Sequence, residues 1–172
     1  MAETVLLVPI PEAAALVDPH RARLTRAGAD GIPPHITLLY PFTDSALLSE
    51  ERVREAAAIV GAIRPFDVSL ASTARFDLDP PILYLAPDPA APFAALTRAL
   101  VAAFPEHQPY DGRHPELVPH LTVAIADAST LAGVEAELGP ALPIEAHVEE
   151  AWLMQRNEAD RWRLRQRLEL GR

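Results

Sequence analysis

Two five-residue stretches carry the groups best suited to chemistry: Pro34-His35-Ile36-Thr37-Leu38 and Pro119-His120-Leu121-Thr122-Val123. Each places a histidine two positions before a threonine, with an aliphatic residue between and after them. In an extended strand successive side chains alternate faces, so His35 and Thr37 point one way and Ile36 and Leu38 the other. The second stretch repeats this with His120 and Thr122 against Leu121 and Val123. For a chain of this composition, chance would supply such a pair on the order of 10⁻⁶ times. Imidazole is the side chain that serves as base or acid near neutral pH. Two of them on opposed surfaces suit a reaction that takes a proton at one point and delivers one at another. Hydrolysis of a cyclic phosphodiester has that requirement: one histidine removes the proton of the attacking water, and the other protonates the departing ribose oxygen. Two threonine hydroxyls then hydrogen-bond the non-bridging oxygens as charge develops.

Other chemistries fit less well. The chain has no Cys, which removes thiolate nucleophiles, disulfides and Cys-based metal sites. Its basic residues are all Arg, so neither a lysine Schiff base nor a P-loop lysine is present. The motifs lack His-x-His or His-x-x-x-His spacing and have no carboxylate close by in sequence, which argues against a three-ligand metal site. A formal net charge of −9 argues against non-specific grip on long nucleic acid, where Lys and Arg neutralise phosphates. The apolar run Val5–Ile10 is too short to span a membrane and stops at prolines. These features predict a soluble, cytoplasmic, monomeric protein that needs no metal or cofactor.

The elements that must position the motifs follow from periodicity. Val5–Val8 reads as a strand, and Glu12–Ala27, which contains Pro19, as one broken or two short helices. His35–Tyr40 is a strand stopped by Pro41. Ser49 caps a helix over Glu50–Ile63. Phe66 to Phe76 alternates as a half-buried strand, Ile82–Ala86 is another, and Phe93–Phe104 is helical. A polar loop, Pro105–Pro119, leads to a strand over His120–Ile125 and a helix at Leu131–Leu138. Ile144–Met154 and Arg161–Leu170 read as two long strands joined at Asn157–Asp160. The order repeats, with halves beginning near Val5 and Ile82, and the 172 residues predict one domain built by internal duplication. The fold class is α+β (α/β): two pseudosymmetric lobes, each a mostly antiparallel sheet with helices packed outside, facing across a central cleft.

At these motifs the sequence resembles the two-histidine (2H) phosphoesterase superfamily, in its 2′-5′ RNA ligase-like branch. The similarity runs from the opening strand through Pro34–Phe42, Arg75-Phe76, Ile82–Leu85 and Pro119–Val123. It implies a catalytic tetrad of His35, Thr37, His120 and Thr122. It also implies hydrolysis of a 2′,3′-cyclic phosphate on a nucleotide or RNA 3′ end to a 2′-phosphomonoester, or reversible ATP-independent 2′-5′ ligation. A non-catalytic module that binds a nucleotide or RNA terminus is the alternative.

Around the tetrad, Phe42 and Phe76 follow strand ends where a ring could stack on a base. Arg75 stands beside Phe76, and Tyr110 and Arg113 lie in the loop before the second motif. These five are the expected substrate-binding residues. Arg161, Arg163, Arg165 and Arg167 alternate along the last strand, with Trp162, Leu164 and Leu168 expected on its other face. The arginines read as a solvated strand face that discourages edge aggregation, against the alternative of a phosphate-facing stripe, and one of them could still reach the cleft.

Overall fold

The structure, a computed structural model, describes residues 3–108 and 117–171. It opens with strand β1 (Thr4–Pro9), helices α1 (Ala14–Leu24) and α2 (Arg26–Ala29), and strand β2 (His35–Leu39). Helix α3 (Glu50–Gly61) begins at Ser49, whose hydroxyl accepts from the Arg52 amide at 3.2 Å, a side-chain cap read from sequence. Strands β3 (Phe66–Phe76) and β4 (Ile82–Asp88) form a hairpin, followed by α4 (Ala91–Ala103) and β5 (Leu121–Ile125). Asp127 caps α5 (Ala128–Leu138), and β6 (Ile144–Val148), β7 (Glu150–Arg156) and β8 (Trp162–Glu169) complete the chain. Two helices occupy the stretch, as one of the expected alternatives had it, but they part at Thr25 and α1 runs through Pro19. Pro19 and Ala15, whose carbonyl the ring leaves without its helical donor, are both exposed, so water can take that donor's place.

Two four-stranded sheets result, ordered β2-β1-β7-β8 and β5-β4-β3-β6, and every pairing between these strands is antiparallel. The motif strands β2 and β5 are the edges of their sheets and touch one another. The sheets do not divide the chain at Ile82. Strand β3, from before that point, sits beside β4, and the final hairpin β7–β8 returns to β1. The stretch expected as one long strand, Ile144–Met154, changes sheets at Glu149, with β6 paired to β3 and β7 to β1. Burial flips phase there: Ile144, Ala146 and Val148 are buried before the break, and Ala151 and Leu153 after it.

One contiguous apolar core takes Leu6, Val8 and Ile36 from the first sheet and Leu83, Leu85 and Leu121 from the second. The crossover helices exchange partners, since α1, between β1 and β2, packs on β5, while α4, between β4 and β5, packs on β2. A smaller cluster of Val5, Leu7, Ile32, Met154 and Trp162 lies on the other face of the first sheet, the face that carries Thr37.

Candidate active site

Each motif strand carries the same irregularity. Between β1 and β2 the register steps from Leu6 opposite Leu39 to Leu7 opposite Thr37, leaving Leu38 without a partner. Between β4 and β5 it steps from Leu83 opposite Ala124 to Tyr84 opposite Thr122, leaving Val123 out. Leu38 and Val123 are equivalent positions of the two motifs, so each strand bulges just past its threonine. A bulge sharpens local twist and re-aims neighbouring side chains. It also lets two consecutive apolar residues, Leu38-Leu39 and Val123-Ala124, enter the core. Behind the motifs Ile36, Leu38, Leu121 and Val123 are all at most 1% exposed, which anchors the backbone that presents the polar pair.

The two imidazoles are held alike. His35 Nδ1 donates to the carbonyl of Pro33 at 2.8 Å, and His120 Nδ1 to the carbonyl of Val118 at 2.7 Å. A carbonyl can only accept, so each Nδ1 carries its proton and Nε2 is the ring nitrogen whose protonation can change. Around the rings the two differ. Burial is the main cause that lowers the His35 pKa from 6.5 to about 4; the Pro33 hydrogen bond opposes it, and the charges of Arg21 and His120 add to it. His35 is therefore neutral at physiological pH. Its sensitivity to His120 reflects how close the two motifs lie.

Arg21 gave no signal in the sequence as a site residue. It is 2% exposed and donates from Nη2 to the carbonyls of Ile32 at 2.9 Å and Pro33 at 3.2 Å, and from Nη1 to Asp18 at 2.9 Å. It thus shares the Pro33 carbonyl with His35. An arginine on α1 separated by Asp18-Pro19 from an apolar turn resembles any surface arginine until the fold closes over it.

On the second lobe His120 is flanked by aromatic rings. Phe76 meets it edge-on at 4.9 Å between centroids and Tyr84 at 5.5 Å, and those two rings stack on each other at 4.4 Å. Phe76 therefore stands beside the second motif. Tyr84 joins it because it pairs with Thr122 across β4 and β5; its alternation with buried Leu83 and Leu85 was the available signal.

The remaining expected substrate-binding residues lie elsewhere or outside the described residues. Phe42 is fully buried, edge-on to Phe104 at 5.0 Å and His107 at 5.7 Å, so it has no ring face for a ligand. Arg75 pairs across the hairpin with buried Leu83 and forms an ion pair with Glu135 of α5, which turns it to the helix-covered side of the sheet, away from Phe76. Alternation along β3 explains both positions. Tyr110 and Arg113 lie outside the described residues. On a separate surface His147 donates from Nδ1 to Asp67 at 2.6 Å near Glu12 and Glu145; these carboxylates would repel a phosphate. Among the described residues no group of three or more His, Cys, Asp or Glu is placed to hold a metal ion.

The sequence model of the 2′-5′ RNA ligase superfamily matches residues 9–160, a span that includes both histidine motifs. The chain belongs to this superfamily. Solved structures show the same fold. Escherichia coli LigT complexed with 3′-AMP superposes with a TM-score of 0.67 at 16% identity, covering 99% of this chain and 98% of that one. LigT in its apo form gives 0.66 at 17% identity with the same coverage. A Thermus thermophilus protein, TT0787, gives 0.61 at 21% identity, covering 98% of each chain. No curated protein sequence matches this chain. As in its superfamily, helices and antiparallel sheets build two facing halves, and a phosphoesterase chemistry accords with the fold. None of the helices described is long and apolar enough to cross a membrane.

Proposed function

We propose that this member of the 2′-5′ RNA ligase superfamily hydrolyses a 2′,3′-cyclic phosphate, on a nucleotide or an RNA 3′ end, to a 2′-phosphomonoester by two-histidine acid–base catalysis. The observation that carries this reading is the matched pair of Nδ1-to-carbonyl hydrogen bonds at 2.8 and 2.7 Å, which hold both rings alike and so support a shared role for their Nε2 atoms in proton transfer. In the step, Nε2 of neutral His35 takes a proton from water as its oxygen bonds to phosphorus. The bond from phosphorus to the ribose O3′ breaks, and Nε2 of protonated His120 gives O3′ its proton. Thr37 and Thr122 donate hydrogen bonds to the non-bridging oxygens. Solved relatives support a nucleotide ligand, since LigT has been crystallised with 3′-AMP, with NADP⁺ and with ATP.

The test is a panel of 2′,3′-cyclic nucleotides, a cyclic-phosphate-ended oligonucleotide and a 2′-5′-linked dinucleotide, with product regiochemistry read by phosphorus NMR. Formation of a 2′-monoester is expected, with kcat reduced roughly 10²- to 10⁴-fold in His35→Ala and in His120→Ala. Because the two act as a unit, the double variant should lose far less than the product of the single losses. A folded His35→Ala or His120→Ala protein with full activity refutes the mechanism. Wild-type protein that binds the nucleotides without turnover would instead favour the terminus-binding reading.

A further inference from the structure

Past Thr37 the same face of the first sheet carries a second row of functional side chains. Directly opposed residues of antiparallel strands share a face. Thr37, Leu7, Trp152 and Arg167 oppose one another in turn from β2 through β1 and β7 to β8, so all four point to the motif side. At a strand spacing of about 4.8 Å, Trp152 stands about 10 Å from Thr37 and Arg167 about 14 Å. The alternation expected for β8 placed Arg167 and Trp162 on opposite faces. A register shift between Leu153 and Met154 brings them to the same face and sends Leu168 into the main core instead.

The chain has two tryptophans, and they are treated differently. Trp162 is 8% exposed within the smaller cluster, whereas Trp152 packs against that cluster and keeps part of its ring at the surface. The indole is fixed in orientation, because its Nε1 donates to Glu150 at 2.7 Å. Arg167 donates to the same carboxylate at 3.4 Å and holds its guanidinium 5.4 Å from the indole centroid, with its side chain 61% exposed. Glu150 lies two residues before Trp152 on one strand and so shares its face. Leu7, fully buried in the smaller cluster, stands in the row between this group and Thr37.

An oriented indole with an exposed guanidinium beside it is a stacking platform that accepts any base, since bases stack on aromatic rings and on guanidinium planes alike. The second Glu150 oxygen can accept from a ribose hydroxyl or an exocyclic amine. We infer that Trp152, Glu150 and Arg167 form a nucleoside subsite, in which a base of the substrate stacks on the indole beside the Arg167 guanidinium while its phosphate sits between the two histidines. This rests on the phosphoesterase reading and adds a preference for nucleotide or single-stranded RNA over small cyclic phosphates without a base. Location supports that occupant, because the row starts at a motif threonine.

Isothermal titration of wild type, Trp152→Ala and Trp152→Phe with inorganic phosphate, 2′-AMP and a dinucleotide bearing a terminal 2′-phosphate tests the subsite. Wild type should bind both nucleotides at least tenfold tighter than phosphate. Trp152→Ala should lose that advantage and keep phosphate affinity within about twofold, and Trp152→Phe should retain most of it. Intrinsic fluorescence gives an independent readout: 2′-AMP should quench wild type and leave Trp152→Phe, which keeps only Trp162, unquenched. Equal affinity for phosphate and nucleotides, unchanged nucleotide affinity in Trp152→Ala, or undiminished quenching in Trp152→Phe overturns the subsite while leaving the phosphate site standing. If Trp152→Ala loses phosphate binding too, its fold is damaged and the Trp152→Phe fluorescence decides. Wild-type protein that binds neither phosphate nor nucleotide refutes the phosphoesterase reading itself, and the subsite with it.

Discussion

At His35 one backbone carbonyl connects two side chains: Pro33 accepts from the imidazole and from Arg21, so a buried cation steadies the acceptor that sets the tautomer. Under the proposed mechanism this makes Arg21 a positioning residue with a measurable signature. A nearby positive charge disfavours imidazolium, and Arg21 is one of the causes that hold the His35 pKa near 4. A neutral His35 as base means kcat/KM falls as pH drops through that region. Arg21→Met removes the charge and leaves Asp18 without its partner, and both changes favour protonated His35. Its acid limb should therefore move upward in pH, and the His35 ring protons should titrate higher by NMR, while Arg21→Lys keeps the limb near its original place. A limb that does not move in Arg21→Met would mean Arg21 only supports the fold. Residue types and spacing were enough to mark His35, Thr37, His120 and Thr122, because a duplicated pentapeptide is a local pattern. Arg21 and Tyr84 were hidden because they belong to the site only through helix packing and cross-strand register, and Phe42 and Arg75 were misplaced for the same reason.

Among the elements, the tight connection from α1 to α2 sets the height at which Arg21 meets the motif. A Cβ built on Gly28 would lie 2.5 Å from the Arg21 carbonyl oxygen and 2.6 Å from its carbon, both backbone atoms that cannot rotate away. Gly28→Ala must therefore push α2 from the last turn of α1. The expected cost is about 1–3 kcal/mol, as for overpacking elsewhere, measured by urea denaturation. Activity should fall more than stability predicts, because Arg21 and Pro33 shift with the helix end. Equal stability in the two proteins would show that the connection has slack the distances do not reveal. Strand positions were largely legible from alternation, and Ser49 marked its helix by capping chemistry. Two features escaped: the sheet change at Glu149, which only the reversed phase of buried residues signals, and the continuity of α1 through an exposed Pro19. Both depend on what lies across the element rather than along it.

Across the whole molecule, strands of both chain halves contribute to the second sheet and the crossover helices pack on the opposite sheets, so the two motifs are held by one continuous core rather than by two bodies that could separate. A ligand that touches both motifs should then stabilise the entire fold, which a thermal scan can read. At tenfold above its dissociation constant an anion held only by the native state contributes RT ln 11, about 1.4 kcal/mol. For a domain of this size that corresponds to a rise in Tm of about 3–6 °C. Two effects could imitate it. Phosphate strengthens apolar burial in any protein by exclusion from its surface, and added salt screens repulsion in a chain of net charge −9. Sodium chloride at matched ionic strength removes the second, and a His35→Ala/His120→Ala double variant removes the first, because it retains the surface and lacks the site. Saturation of the wild-type shift with phosphate, over a flat or linear response in the double variant, is the expected result. A wild-type response as linear as the variant's would mean that the cleft between the motifs holds no anion, and the two histidines would then need another explanation.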